Sequence, residues 1–251
     1  MYPTLCLEVR EATMNLHVSA ENSFMMKKYI HRTVSLQDHL YILVQQQMIH
    51  DALQTSLDIS SDQSDFSQFL SNLYRSGAIR HDIAFICEKL GVDQQGLQKQ
   101  ILQETKNYQQ YLANISNDSE KLYAHAYVQY RALFNGGYIL NKTIKKLLEA
   151  ANIAQLEEND GLTYFHFMQA GHTLDKQFVE YINAIDNIDK NKFIEEVKRA
   201  YEFITDIYNI NPDESRFEKY ARNASAFWHK NKEVIVPAAI GTVLVTRYIL
   251  T

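Results

Sequence analysis

The chain has only two cysteines, Cys6 and Cys87, in 251 residues, and neither lies in a metal-type spacing. A disulfide framework is therefore excluded as the main source of stability, and a reducing compartment such as the cytoplasm is expected. Glycine and proline are equally scarce, with 8 and 3 copies. Turn-rich all-β folds need many more of both, so the scarcity points to helices. No strongly basic stretch occurs, and 25 Lys and Arg against 30 Asp and Glu leave a net charge of −5. Nucleic acid is accordingly not an expected partner. The N-terminus carries Glu8 and Arg10 and lacks the apolar run of a signal peptide. Also missing are a Ser-His-Asp arrangement, a P-loop, a dinucleotide fingerprint and a HEXXH metal motif.

What is present is helical periodicity and a hydrophobic content of 46%, enough for a sizeable core. Leu5, Val9, Ala12 and Leu16 repeat at helical spacing over 5–16. A long helix is expected from Ser35 to Leu57, with Ser35 as N-cap and Asp38 three residues on. Residues 61–67 are polar and turn-like, with Asp65 able to cap the next segment. Further helices are expected over 78–90, closed by Gly91, and over 96–115. Ser119 is read as the cap of a run to Ala151 whose stripe is Leu122, Ala126, Tyr130 and Leu133. Helices over 172–187, 190–210 and 213–230 complete an all-α, single-domain bundle of about eight helices over residues 1–230. Residues 231–251 form a separate tail. Its last eighteen residues, VIVPAAIGTVLVTRYILT, follow Lys230 and Lys232. As a helix they span about 27 Å, close to a bilayer's hydrocarbon thickness. Two readings stand: a membrane anchor facing the cytoplasm, or an apolar helix folded onto the body.

Three features carry chemistry. His17 and Glu21 are four residues apart and share a helix face, where a carboxylate can orient an imidazole that binds iron. The Gly136-Gly137 pair lies inside a long helical pattern, and each glycine costs about 1 kcal/mol there. A close approach of the backbone to a ligand would account for it; so would a loop between two helices. Around the pair lie Tyr123, Tyr127, Tyr130, Phe134 and Tyr138, with His125 and Gln129 as polar neighbours. Aromatic stripes of this kind ordinarily fill cores.

Five segments together resemble the haem oxygenase family, in the family's order: LEVREATMNLHVSAENSFMM (7–26), LYRSGAIRHDIAF (73–85), AHAYVQYRALFNGGYIL (124–140), LTYFHF (162–167) and FIEEVKRAYEFITDIYN (193–209). The resemblance implies an all-helical haem-binding fold. It implies cleavage of haem, both substrate and prosthetic group, to biliverdin, carbon monoxide and ferrous iron, with O₂ and electrons from a reductase or ferredoxin. It implies His17 as the iron ligand, Glu21 behind it, Arg10 near a propionate, and Gly136 and Gly137 where the distal helix crosses the haem. Tyr127, Gln129 and Asn135 would form the distal polar network.

Several positions depart from the family pattern. Leu133 stands where the family has the aspartate that anchors the distal water, and Ala132 replaces the glycine before it. Gln129 replaces an arginine, and Asn135 a serine. Met14 and Ile182 replace basic residues, leaving Lys176 as the nearest cation in that region. A leucine neither donates nor accepts a hydrogen bond, so water held at that position should be lost. The leading reading is a haem oxygenase. The alternative is a catalytically impaired haem-binding protein of the same fold, for storage, sensing or delivery. A third class, thiaminase-like helical proteins, shares the fold but not the motif around His17.

Overall fold

A computed structural model describes residues 4–60, 64–98, 100–151, 153, 159–167 and 171–211. The chain divides into two units, Met1–Ile210 and Asn211–Thr251. Asn211 is the described residue of the second unit, so the helix expected over 213–230, the domain boundary at 230/231 and the apolar tail lie outside the described residues. Among the described residues, no helix is long and apolar enough to cross a membrane.

The first unit is all-helical among its described residues. Its α-helices are α1 (Leu5–Glu21), α2 (Phe24–Ile30), α3 (Leu36–Ile59), α4 (Asp65–Ser71), α5 (Ser76–Leu90), α6 (Gln94–Gln98), α7 (Gln103–Asn114), α8 (Ser119–Ala150), α9 (Gly171–Asn183) and α10 (Lys190–Tyr208), with a short 3₁₀ turn at Thr163–Phe165. Helix α3 is buried on nearly every side and packs on α5, α7 and α8. Helix α10 lies along both α1 and α8. It does so with a single apolar face, Phe193, Val197, Ala200 and Ile207, spaced four, three and seven residues apart.

Local chemistry explains where the helices start and stop. Ser35 Oγ accepts from the Asp38 amide at 3.1 Å while Asp38 accepts from the Ser35 amide at 2.8 Å, the reciprocal cap expected for α3. Gly91 takes the left-handed conformation (φ 64°) that ends α5. Other boundaries differ from expectation. The apolar stripe of α1 ends near Leu16, but with no Gly or Pro to stop it the backbone ladder continues to Glu21, carrying His17 inside the helix. Helices α2 and α4 have seven residues each, too short for periodicity to declare. The single helix expected over 96–115 is split into α6 and α7. Gln45 of α3, fully buried, fills the break: its carbonyl accepts from the Leu102 amide (3.1 Å) and Thr105 hydroxyl (2.8 Å), and its amide donates to the Gln100 carbonyl (3.2 Å). The cap of α8 is Asp118 rather than Ser119, because the Asp118 carboxylate reaches the Lys121 amide at 3.3 Å. Helix α8 runs without interruption through Gly136 and Gly137, which removes the loop reading of that pair.

Candidate functional site

A cleft of about 840 Å³ opens between α1, α2, α3, α8 and α10. That volume suits a ligand of drug or cofactor size. Its outer wall carries exposed apolar side chains, Met14 and Val18 of α1, Ile30 of α2 and Ile139 of α8. Its inner wall is made of residues of α2, α3, the 3₁₀ turn and α10, among them Tyr29, His39, Leu43, Gln46, Tyr164 and Tyr208.

His17 opens into this cleft with 49% of its side chain exposed. Its Nε2 lies 3.4 Å from Glu21 Oε1, one turn along α1, and its ring lies 6.1 Å from that of Tyr201. The imidazole has two distinct ring nitrogens, so one can face Glu21 while the other serves a ligand. No group of three or more His, Cys, Asp or Glu that could hold a bare metal ion occurs among the described residues. A lone imidazole could still bind a metal whose remaining ligands come with the ligand itself.

Of the other expected site residues, Arg10, Glu21, Tyr127, Gln129, Ala132, Leu133, Asn135 and Gly136 line the cleft with His17. A Cβ built on Gly136 would meet nothing within 4 Å, so the residue leaves open space on the cleft wall. Gly137 is not part of that wall. It is buried, and a Cβ there would lie 3.7 Å from Phe165 Cδ1. The pair therefore divides its roles: one glycine faces the cleft and the next lets the 3₁₀ turn approach α8. Leu133 is 6% exposed and belongs to an apolar cluster with Ile79, Ile83 and Ile144. Lys176 is outside the cleft lining and lies 3.9 Å from Glu180.

Two polar groups in the cleft were not singled out from the sequence. The first joins α8 to α9. Arg131 Nε and Nη2 donate to the two Asp175 oxygens at 2.6 and 3.2 Å, and Nη1 donates to the Tyr127 hydroxyl. Asn135 Nδ2 donates to Asp175 Oδ1 at 3.2 Å. Burial pushes the Tyr127 hydroxyl up to about 12, with the Arg131 charge opposing it. Tyr127 and Asn135, two of the expected polar network, are thus engaged with this ion pair. Arg10, by contrast, is exposed and forms no ion pair with a described carboxylate, leaving a free cation at the cleft. Arg131 was legible in principle, since it lies four residues from Tyr127 on the same face; Asp175 comes from another helix and gave no signal.

The second group is on the inner wall. The Tyr29 hydroxyl bonds to His39 Nδ1 at 2.8 Å. Gln46 Nε2 donates to the Tyr208 hydroxyl at 3.2 Å, and the Tyr164 hydroxyl donates to Gln46 Oε1 at 3.3 Å. Burial lowers His39 to about 3, so it is neutral at physiological pH. Burial raises Tyr208 to about 12, with the Gln46 bond opposing it. His39 is 1% exposed, lines the cleft, and its Nε2 has no hydrogen-bond partner among the described residues. A buried polar atom of this kind calls for a partner from outside the protein.

The fold and site define a helical bundle with a cleft of cofactor size, walled by apolar side chains and carrying the half-exposed imidazole of His17. A family profile described as Heme oxygenase matches residues 4–209, and the chain belongs to the haem oxygenase family. It is 26% identical over 200 residues to heme oxygenase 1 of Gallus gallus, covering 77% of this chain and 64% of that protein. Against heme oxygenase 1 of Homo sapiens the identity is 25% over 205 residues, covering 77% and 66%. The chain thus spans just under two thirds of the length of these curated relatives. Among solved structures, the heme oxygenase from Leptospira interrogans superposes with a TM-score of 0.71 at 22% identity, covering 82% of this chain and 99% of that one. Heme oxygenase-1 from Synechocystis, solved in complex with heme, superposes at 0.67 with 17% identity, covering 92% and 100%. These two likenesses establish the fold.

Proposed function

We propose that this protein binds haem in the cleft and cleaves it to biliverdin, carbon monoxide and ferrous iron, using O₂ and electrons from a reductase or ferredoxin. The observation that carries this reading is His17, held beside Glu21 and opening into an apolar cleft of about 840 Å³. Haem bound there supplies the iron at which O₂ and electrons meet and the macrocycle that is opened. The residues of the chain fit such a ligand. His17 would bind the iron, and Glu21 would orient its imidazole and raise its basicity. The apolar side chains of α1, α2 and α8 cover the macrocycle, Gly136 allows close approach of α8, and Arg10 pairs with a propionate. Gly137 supports that wall from behind. Tyr127, Gln129 and Asn135 supply polar groups along α8, and Ala132 and Leu133 complete the surface between them.

A second reading has a specific observation in its favour. Leu133 places an apolar, buried side chain on the α8 wall, and Tyr127 and Asn135 are already bonded within the Arg131–Asp175 cluster. Gln129, whose buried Nε2 has no partner among the described residues, is the open donor left on that wall. A wall so thinned of polar groups suits a haem-binding protein that turns over slowly or not at all.

One experiment separates the readings. Haem is titrated into the full-length protein, reductant and O₂ are added, and the Soret band and bilin product are followed. Bilin formation supports the oxygenase; a stable haem complex without bilin supports the binder. His17→Ala should abolish the histidine-type spectrum with helicity unchanged; an unaltered spectrum would remove His17 from its role. The sequence of 234–251 further supports a membrane-anchored protein with its body in the cytoplasm, and fractionation of the full chain against one lacking 232–251 checks it.

A further inference from the structure

The inner wall of the cleft is polar where a pocket for an apolar macrocycle needs no polarity. Tyr29, His39, Gln46, Tyr164 and Tyr208 come from four separate parts of the chain, α2, α3, the 3₁₀ turn and α10, and all line the cleft. Burying hydroxyls, an amide and an imidazole together costs stability unless each finds a partner. Most of them do, and the pattern of their bonds has a direction. The Tyr164 hydroxyl has one proton, which it gives to Gln46 Oε1 at 3.3 Å. His50 Nε2, 3.2 Å from the same hydroxyl, must therefore be the donor in that contact. Gln46 in turn donates from Nε2 to the Tyr208 oxygen at 3.2 Å. The chain runs from His50 through Tyr164 and Gln46 and ends on the Tyr208 proton, which has no acceptor among the described residues. His39 Nε2 is the second open valence. Whichever partner donates in the Tyr29–His39 bond, Nε2 is left either as a donor without an acceptor or as an acceptor without a donor.

We infer that the inner wall is a water-binding subsite, in which His39 and Tyr208 hold ordered water that supplies protons to the reaction in the cleft. A polar, enclosed position with unsatisfied donors and acceptors is where buried water is found. On the α8 wall Leu133 offers no such valence, Tyr127 and Asn135 are bonded into the Arg131–Asp175 cluster, and the buried Gln129 Nε2 is a further open donor facing the same cleft. His39 acts as a neutral hydrogen-bonding group that positions the water; it does not give up a charge of its own. Gln46 and Tyr164 fix the orientation of the Tyr208 hydroxyl. The proton leaves water for the reacting ligand, and the water is replenished from solvent, with no change of redox state in the protein. His39 and Tyr208 are thus positioning residues, and the proton-supply role rests on the haem oxygenase reading above.

The test has two parts that fail independently. In the first, full-length, ligand-free protein carrying isotope-labelled histidine is examined by NMR for magnetisation transfer from water to the His39 ring, the signal being assigned by its loss in His39→Phe. That substitution keeps the ring stacked on Phe165, whose plane lies 21° from that of His39. A long-lived water contact is expected; its absence overturns the subsite. In the second, bilin formation is measured in His39→Phe and in Tyr208→Phe, the latter removing a single hydroxyl. Both should slow bilin formation at least about tenfold while leaving the haem titration within about threefold, set against the roughly 10²–10⁴-fold that positioned proton transfer contributes. A native rate in either variant overturns the proton-supply role. If the unmodified protein binds haem and forms no bilin, the oxygenase reading fails by itself, and the water contact still decides the subsite.

Discussion

Arg131 and Asp175 form a two-pronged ion pair, 2.6 and 3.2 Å, that ties α8 to α9 at the edge of the cleft. Both side chains are about four-fifths buried, with 23% and 20% exposed. Hydrogen bonds between charged groups at such depth contribute more than those on the surface, and removing one partner strands the other. Asp175→Asn should therefore lower the free energy of unfolding by about 1–3 kcal/mol, read as a shift in urea midpoint at constant slope. Because Asn135 shares the Asp175 carboxylate, Asn135→Ala and Asp175→Asn should be non-additive in a double-mutant cycle. Strict additivity would show that the cluster does not act as a unit.

The two glycine environments make opposite forecasts. A Cβ on Gly171 would lie 2.6 Å from the Phe134 carbonyl oxygen, backbone that cannot move aside cheaply. Gly171→Ala should cost about 1–3 kcal/mol by forcing α9 away from α8. Gly136 lies in mid-helix with nothing within 4 Å. Gly136→Ala should stabilise the ligand-free protein by about 0.5–1 kcal/mol through helix propensity. The same methyl would occupy the cleft and weaken haem binding by about tenfold or more, roughly 1.4 kcal/mol. Thermal or urea unfolding together with a haem titration checks both halves; unchanged haem affinity would place the macrocycle away from Gly136.

Much of the framework could be read from the sequence because it rests on local chemistry. The Ser35–Asp38 cap, the Gly91 stop and the apolar face of α10 each depend on residues close together in the chain. His17 and Glu21 were legible for the same reason, being one helical turn apart. What escaped depends on distant partners. The break between α6 and α7 is set by Gln45, more than fifty residues away, and the partner of Arg131 is on α9. The inner-wall polarity is spread over α2, α3, the 3₁₀ turn and α10, so no window of sequence contains it. His39 was one of nine histidines, and its burial beside Tyr29 follows from packing alone.

Acid should destabilise this protein through its buried histidines. Burial holds His39 at about 3, and burial with the Arg75 charge holds His50 at about 3. His125 is also lowered by burial, against the pull of Glu196. In the unfolded chain each would titrate near about 6.5. Between these values the unfolded state binds more protons than the folded one, so stability is full above the unfolded pKa and falls as pH drops below it. Each histidine contributes a slope of up to about 1.4 kcal/mol per pH unit in that window. Urea unfolding followed from neutral pH to pH of about 4.5 should show this slope. His50→Gln should flatten it by up to one proton's worth; an unchanged slope would mean that His50 takes up its proton in the folded state.

Leu133 decides between two sources of protons for turnover. If the α8 wall limits the reaction, restoring a carboxylate there should help. Leu133→Asp combined with Ala132→Gly would place an acid on the cleft and reopen space beside it. Its structural cost is high, because Leu133 is 6% exposed within an apolar cluster. An unpaired carboxylate in such a place costs about 3–5 kcal/mol, or is protonated and neutral. The glycine adds about 1 kcal/mol by weakening the helix. Under the inner-wall water subsite, bilin formation by the surviving folded protein should stay within about twofold of the native rate, since proton transfer worth roughly 10²–10⁴-fold is already supplied by the water that His39 and Tyr208 position. Under an α8 wall that limits turnover, the same variant should accelerate bilin formation well beyond tenfold despite its lower stability. The measurement is the single-turnover bilin rate per folded molecule, with the folded fraction taken from helicity at the assay temperature. A large acceleration would move the proton supply to α8 and leave the inner wall with a structural role.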